Sequence, residues 1–177
     1  MSNKESNLIL IIDFGSQYTQ LIARRVRESG VYSVVKSNNI SKNEFFKLKP
    51  KGIILSGGPE SVSSTKIHKL SGFILESGVP ILGICYGMQL ITHYFKGKVS
   101  LSAKKEFGHS TFKITKSSKL FNSLNKKIKL KVWMSHSDKV SKLPAGFETL
   151  GSSDNTKIAA ISDPIRKIYG LQFHPEV

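Results

Sequence analysis

The only cysteine of the chain, Cys85, lies between two glycines in the segment Gly83-Ile84-Cys85-Tyr86-Gly87. This G-x-C-x-G spacing has the form of a nucleophile elbow, the sharp turn between a buried strand and a helix. Glycines on both sides remove the Cβ atoms that would obstruct such a turn, and the N-terminus of the following helix favours a thiolate. Lone cysteines are often inert small hydrophobic residues, but a plain turn does not require both glycines. The pattern therefore predicts a nucleophile.

A nucleophilic cysteine needs a base, and the chain has five histidines. Two, His68 and His93, are expected in helices as surface or packing residues. Two others, His109 and His136, are expected in turns. His174 differs because Glu176 follows it at the end of a predicted strand, where residues i and i+2 point to the same face. Glu176 can then orient the ring while its other nitrogen faces the thiolate. We interpret these three residues as a cysteine, base and orienter.

Attack on a carbonyl group creates an oxyanion, which requires hydrogen-bond donors already in place. The backbone N–H of Tyr86, at the start of the helix, is one candidate. The segment Ser56-Gly57-Gly58-Pro59 follows a neighbouring predicted strand and can offer a second N–H, since glycine allows a close backbone approach. A Gly-Gly-Pro turn alone is weak evidence, but it is expected at the same sheet edge as Cys85.

The elements that position these residues alternate in the first half of the chain. Four apolar runs are predicted as buried strands: residues 8–12, 32–35, 52–55 and 79–84. Amphipathic stretches between and after them are predicted as helices: residues 18–26, 41–48, 67–74 and 86–94. Five further strands are predicted with short connections: residues 112–115, 128–134, 147–151, 158–161 and 168–173. The order predicts a single α/β domain, with an open, mostly parallel sheet flanked by helices and a strand-rich second half.

Composition excludes several classes of protein. No apolar run approaches the roughly 20 residues of a membrane helix, and one cysteine allows neither an internal disulfide nor a cysteine-based zinc site; no metal site is predicted. A cytoplasmic location is expected. The chain of 177 residues has a formal charge of +15, with 23 lysines and 4 arginines. The densest stretch, residues 96–142, lacks aromatic residues spaced for base stacking. We therefore expect a solvated lysine-rich surface, and neither nucleic acid nor a membrane as partner.

From residue 8 to residue 177 the chain resembles the class I (triad) glutamine amidotransferases, whose core is flavodoxin-like. The resemblance rests on five segments: residues 13–20, 54–61, 83–89, 132–138 and 170–177. The cysteine turn and the His-Pro-Glu segment mark the superfamily. The first and fourth segments are more similar to the N-terminal glutaminase domains of GMP synthetases than to relatives that serve other synthases.

The resemblance implies that Cys85 attacks the side-chain amide of L-glutamine, expels ammonia and forms a thioester that water hydrolyses. It implies that His174 acts as base and acid and that Glu176 orients it. It also implies two supporting sets of residues: the oxyanion-hole amides of Gly58 and Tyr86, and the glutamine-binding residues Gln89, Ser137 and Asp138.

In such enzymes the ammonia passes to an ATP pyrophosphatase domain that converts XMP to GMP with ATP and Mg²⁺. The sequence contains no phosphate-binding loop of that domain and no G-x-x-x-x-G-K-[ST]. No cofactor is therefore expected in residues 1–177. We expect the chain to be a piece of a longer protein that lacks a last helix and the synthetase domain. Any homodimer is expected to form through that missing domain. Two alternatives stay open: a glutaminase for an anthranilate or carbamoyl-phosphate type synthase, and a catalytically silent basic binding module on the same fold.

Overall fold

A computed structural model describes residues 7–62 and 67–177 of the chain. The strands are β1 Ile9–Asp13, β2 Ser33–Ser37, β3 Gly52–Leu55, β4 Ile81–Ile84, β5 Lys98–Ile114, β6 Leu130–Lys142, β7 Glu148–Ser153, β8 Ala160–Asp163 and β9 Ile168–Leu171. The helices are α1 Thr19–Glu28, α2 Lys42–Leu48, α3 Gly72–Leu75 and α4 Tyr86–Tyr94, with a 3₁₀ turn at Lys119–Phe121. None of the helices in this part of the chain is long and apolar enough to cross a bilayer.

These nine strands form one sheet in the order β2-β1-β3-β4-β9-β8-β7-β5-β6. Strands β1 to β4 and β9 pair in parallel and are called the parallel half. Strands β5 to β8 pair antiparallel and are called the antiparallel half, which joins β9 through β8. The predicted α/β class, with helices flanking an open sheet and strands dominating the second half, is confirmed.

Helices cover both faces of the parallel half because successive side chains of its strands point in opposite directions. In β1, Leu10 and Ile12 belong to the large apolar cluster that also contains buried side chains of α2, α3 and α4. Ile11, between them, belongs to a second cluster with Ile22 and Ala23 of α1. Both faces of the strand are therefore buried, which explains its uninterrupted aliphatic sequence.

Several predicted elements have other bounds in the structure; β6, expected at residues 128–134, spans residues 130–142. Strand β5 begins at residue 98 rather than 112 and is 17 residues long. Its first part consists largely of lysine and serine and has no apolar run, but it forms a long ribbon with β6 through antiparallel pairing. The predicted helix at residues 67–74 is present only as α3, residues 72–75. The backbone N–H of His68 instead donates to the Tyr86 hydroxyl at 3.1 Å. His68 is therefore not helical, and residues 63–66 lie outside the described part of the chain.

Candidate active site

Cys85 lies at the end of β4 and directly before α4, as predicted. Its backbone has φ 53° and ψ −107°, a conformation that residues with a side chain rarely adopt. The backbone N–H of Cys85 donates to the Leu171 carbonyl of β9 at 2.7 Å, which holds the turn against the neighbouring strand. The side chain is 6% exposed.

Both flanking glycines are required by close packing. A Cβ atom on Gly83 would lie 2.6 Å from the carbonyl carbon of Gly87, and one on Gly87 would lie 2.4 Å from the carbonyl oxygen of Leu55. Neither backbone neighbour can move without shifting a strand or the helix. The predicted reason for the G-x-C-x-G spacing, removal of obstructing Cβ atoms, is therefore confirmed.

His174 and Glu176 are in contact, but not for the predicted reason. Nδ1 of His174 lies 2.8 Å from Oε1 of Glu176, and both side chains are nearly fully buried. The prediction placed the pair on a strand, whereas β9 ends at Leu171 and residues 175–176 form a turn. The turn folds the carboxylate back onto the ring, so a contact attributed to strand alternation is in fact made by a reversal of the chain.

The ring of His174 is held between a sulfur atom and a carboxylate. Burial by itself would lower the pKa of His174, but the hydrogen bonds and charges of Cys85 and Glu176 outweigh it and raise the pKa to about 9. His174 is therefore protonated at neutral pH. Because Nδ1 contacts Glu176, the hydrogen bond of the ring with Cys85 is left to Nε2.

Two further groups contact the sulfur of Cys85. The Ser135 carbonyl oxygen of β6 lies 3.5 Å from Sγ. The side-chain amide of Gln172 donates to Sγ from 3.6 Å. The antiparallel half and the segment after β9 therefore both reach the nucleophile.

The Gly57-Gly58 segment lies against the same groups. A Cβ atom on Gly57 would be 3.1 Å from Cε1 of His174 and 3.8 Å from Cβ of Cys85. One on Gly58 would be 3.0 Å from the ring of Tyr86 and 2.9 Å from the Phe14 carbonyl oxygen. The structure thus brings the two predicted oxyanion-hole residues, Gly58 and Tyr86, into contact with each other beside Cys85.

The three predicted glutamine-binding residues also meet. The side-chain amide of Gln89 donates to the Asp138 carbonyl at 3.0 Å. Gln89, Ser137 and Asp138 line a cavity of about 440 Å³ that also reaches Cys85. A second cavity, of about 320 Å³, is lined by His174 and likewise reaches Cys85. Cys85 therefore borders both the cavity lined by the predicted glutamine-binding residues and the cavity lined by His174.

A larger cavity, of about 610 Å³, is found elsewhere, between α4 and residues 67–70. Its described lining includes His68 and His93 but neither Cys85 nor His174. The site is assigned by its chemistry and not by cavity size.

Four contributors were absent from the predicted site: Ser135, Gln172, Tyr18 and Arg25. The ring of Tyr18 packs edge-on against His174 with centroids 5.1 Å apart. Nε of Arg25 donates to the backbone carbonyl of Glu176 at 3.0 Å. Gln172 lies two residues before His174, and Tyr18, Ser135 and Gln172 all lie in segments that carry the resemblance to the family, which is the signal available for them. The other three contacts join distant segments and leave no trace in local spacing.

Residues 10–177 match the glutamine amidotransferase class-I family, and the chain belongs to that family. It is 51% identical over 169 residues to a GMP synthase [glutamine-hydrolyzing] of Campylobacter jejuni, an alignment that covers 96% of this chain and 33% of the relative. It is 52% identical over 174 residues to the protein of the same name from Staphylococcus saprophyticus, covering 98% of this chain and 33% of the relative. The chain thus spans about a third of the length of these relatives.

Solved structures agree. A Thermoplasma acidophilum protein assigned as part of a GMP synthase superposes with a TM-score of 0.80 and 31% identity, over 97% of this chain and 85% of that one. A glutamine amidotransferase from Thermotoga maritima superposes with a TM-score of 0.76 over 97% of this chain and 76% of that one; at 20% identity it supports the fold alone.

Proposed function

We propose that this chain hydrolyses the side-chain amide of L-glutamine to glutamate and ammonia through a thioester on Cys85. The observation that carries the proposal is the convergence of Cys85, His174 and Glu176 at one edge of the sheet, beside a cavity that contains the residues proposed to bind glutamine. Membership of the glutamine amidotransferase family supports the same substrate.

The raised pKa of His174 defines the starting state. A protonated ring beside the sulfur stabilises the thiolate, and Glu176 stabilises the positive charge and holds the ring in place. The thiolate attacks the carboxamide carbon and forms the C–S bond. The oxyanion that develops is stabilised by the backbone N–H groups of Gly58 and Tyr86.

His174 then moves the protons. Its Nε2 proton passes to the amide nitrogen, the C–N bond breaks, and ammonia leaves the γ-glutamyl thioester. The neutral ring accepts a proton from water, and the resulting hydroxide attacks the thioester carbon. The C–S bond breaks, glutamate departs, and the thiolate and the protonated ring are restored. The net reaction consumes one water for each glutamine.

We further propose that the ammonia serves the amination of XMP to GMP by an ATP pyrophosphatase domain or subunit, in the cytoplasm. The names of the relatives, and the third of their length that this chain spans, support this role. We propose that ATP and Mg²⁺ bind to that partner. Two large apolar side chains at the cavity rim, Leu101 and Phe107, are 69% and 65% exposed and are suited to contact such a partner.

The substitution Cys85→Ala tests the proposal. Glutamine hydrolysis should fall by about three orders of magnitude or more, since removal of a nucleophile eliminates the thioester route. Ammonia release measures the loss, and circular dichroism and thermal unfolding check that the fold is intact. In the assembly with the synthetase, GMP formation from added ammonium salt should continue.

The matched control is His93→Gln, a change at an exposed histidine of α4, which should leave ammonia release unchanged. Retention of glutaminase activity by Cys85→Ala would overturn the proposed nucleophile. If the wild-type chain releases ammonia from glutamine only in the presence of a chorismate-aminating partner, it serves a different synthase.

A further inference from the structure

A buried glutamate–histidine pair in the antiparallel half takes no part in the reaction described above. Glu106 of β5 and His136 of β6 are register partners in the ribbon. Oε2 of Glu106 lies 2.9 Å from Nε2 of His136, and the two side chains are only 3% and 2% exposed. Buried charged groups are costly unless they are fully hydrogen-bonded, so the pair calls for an explanation. The prediction that His136 lies in a turn is wrong, and so is the same prediction for His109, since both are in strands of the ribbon.

The carboxylate of Glu106 is satisfied by hydroxyl groups as well as by the imidazole. The Thr156 hydroxyl donates to Oε2 at 2.6 Å, and the Ser153 and Ser110 hydroxyls donate to Oε1 at 3.1 and 3.3 Å. Burial raises the pKa of Glu106, but the bonds from Thr156, Ser153 and His136 outweigh it and hold the pKa below its ordinary value. Glu106 is therefore an anion, and its carboxylate accepts a hydrogen bond from Nε2 of His136.

The other nitrogen of His136 meets a backbone acceptor. Nδ1 lies 2.8 Å from the carbonyl oxygen of Asp138. The carbonyl oxygen and the carboxylate are both hydrogen-bond acceptors, so each ring nitrogen of His136 lies against an acceptor. The ring therefore links a fixed anion on β5 to one peptide group of β6.

That peptide group belongs to the wall of the proposed glutamine cavity. The Asp138 carbonyl also accepts the bond from Gln89, and Gln89 donates in turn to Oε1 of Gln172 at 3.3 Å. Gln172 contacts the sulfur of Cys85. These successive contacts fix the position of residues 135–138 relative to Cys85.

We propose that His136, anchored by Glu106, is a positioning residue that holds the backbone of residues 135–138 in place for glutamine binding. This inference rests on the proposed function. His136 has both nitrogens engaged by the protein and is not needed for the covalent steps at Cys85. Its loss should therefore weaken the binding of glutamine far more than it slows the chemistry.

The test compares two substitutions of one residue. His136→Leu removes both ring nitrogens at similar volume, and the KM for glutamine should rise about tenfold or more, the effect of one or more lost buried hydrogen bonds, with kcat within about threefold. His136→Asn keeps an N–H group near the position of Nδ1 and should restore most of the affinity through the Asp138 carbonyl. His109→Leu, on the exposed side of the same ribbon, is the matched control and should leave KM unchanged.

Two readouts separate positioning from general damage. The rate at which iodoacetamide alkylates Cys85 should be the same in His136→Leu as in the wild type, because the sulfur and its imidazole are not altered. An unchanged KM, a parallel loss of kcat and alkylation, or failure of His136→Asn to restore affinity would overturn the inference. If His136→Leu does not fold, Glu106→Gln takes its place: a selective rise in KM supports the inference, and an unchanged KM overturns it.

The proposed function can fail separately. If the wild-type chain bearing Cys85 releases no ammonia from glutamine, the proposed function is wrong. The positioning role is still decided by calorimetric binding of L-glutamine to Cys85→Ala with and without His136→Leu. A dissociation constant raised about tenfold by the second substitution supports the inference, and equal constants, or no binding in either variant, overturn it.

Discussion

The two halves of the sheet contribute to the site by different means. In the parallel half, the backbone does the positioning: Cys85 occupies a turn that closes only because Gly87 can approach the carbonyl of Leu55. In the antiparallel half, side chains do it: Glu106 and His136 fix a peptide group of β6 through a buried hydrogen-bond network. One half presents the nucleophile, and the other forms the wall against which substrate is proposed to bind.

We expect the two halves to differ in how well they tolerate substitution. A turn made by close backbone contact has no alternative packing, so any added atom must move a strand. A side-chain network can be replaced piecewise, because an asparagine or glutamine can supply part of its hydrogen bonds. We therefore expect atoms added at Gly83 or Gly87 of the parallel turn to damage folding and substitutions in the network to damage binding.

The largest effect is expected from an alanine at the turn. Gly87→Ala places a methyl group against the Leu55 carbonyl, and we expect the free energy of unfolding to fall by about 3 kcal/mol, at the upper end of overpacking costs. Gly108→Ala, in β5, has open space around it but a φ of +94°, so it should lose about 1–2 kcal/mol. Urea unfolding of both variants measures the difference. Equal losses would show that the turn is no more restrictive than the ribbon.

A smaller effect is expected from pH. The pKa of His174 is raised from 6.5 to about 9 in the folded protein, so the stabilisation by its charged ring is complete below pH 6.5 and disappears as the pH rises through 9. Its size is at most about 3 kcal/mol, from the conversion of the pKa shift.

Unfolding of the wild type and of His174→Gln should be compared from about pH 6 to about pH 10. The wild type should lose its advantage over the variant across this range, whereas His93→Gln should track the wild type throughout. An advantage that stays constant or grows with pH contradicts a charged ring in the folded state.

The smallest effect is expected at the start of α2, in the parallel half but away from the site. The Ser41 side chain caps α2 by accepting a hydrogen bond from the backbone N–H of Glu44 at 3.1 Å. Ser41→Ala should cost about 1 kcal/mol of unfolding free energy and leave kcat and KM for glutamine unchanged. A change in KM would mean that the stability of the parallel half and the substrate wall are coupled, and the division described above would need revision.

The difference between the parallel and antiparallel halves also explains which features the sequence predicts. The turn at Cys85 is predictable because its requirement, two glycines around one residue, is local. The buried strands of the parallel half are predictable because both faces are apolar. The contact of His174 with Glu176 was predicted from their spacing, although a turn rather than a strand produces it.

The antiparallel half is less predictable for physical reasons. The first part of β5 is rich in lysine and serine, and its strand forms through pairing with β6, which the local pattern does not reveal. Glu106 follows two lysines and is indistinguishable in sequence from a solvated charge, yet its partners Thr156 and Ser153 lie about fifty residues away. The helix expected over residues 67–74 is present only at residues 72–75, and the contact of the His68 backbone N–H with the Tyr86 hydroxyl is one that the local pattern does not reveal.

The position of β9 has a consequence for how the molecule is made. It follows the other eight strands along the chain, yet it lies in the middle of the sheet, between β4 and β8. During synthesis, β4 and β8 must each wait with an open edge, and such edges invite pairing with other chains. The insertion of β9 closes both edges in one event and brings in the histidine and carboxylate that follow it. We therefore expect a ribosome-bound chain to gain cooperative stability and a complete triad together, and not in stages.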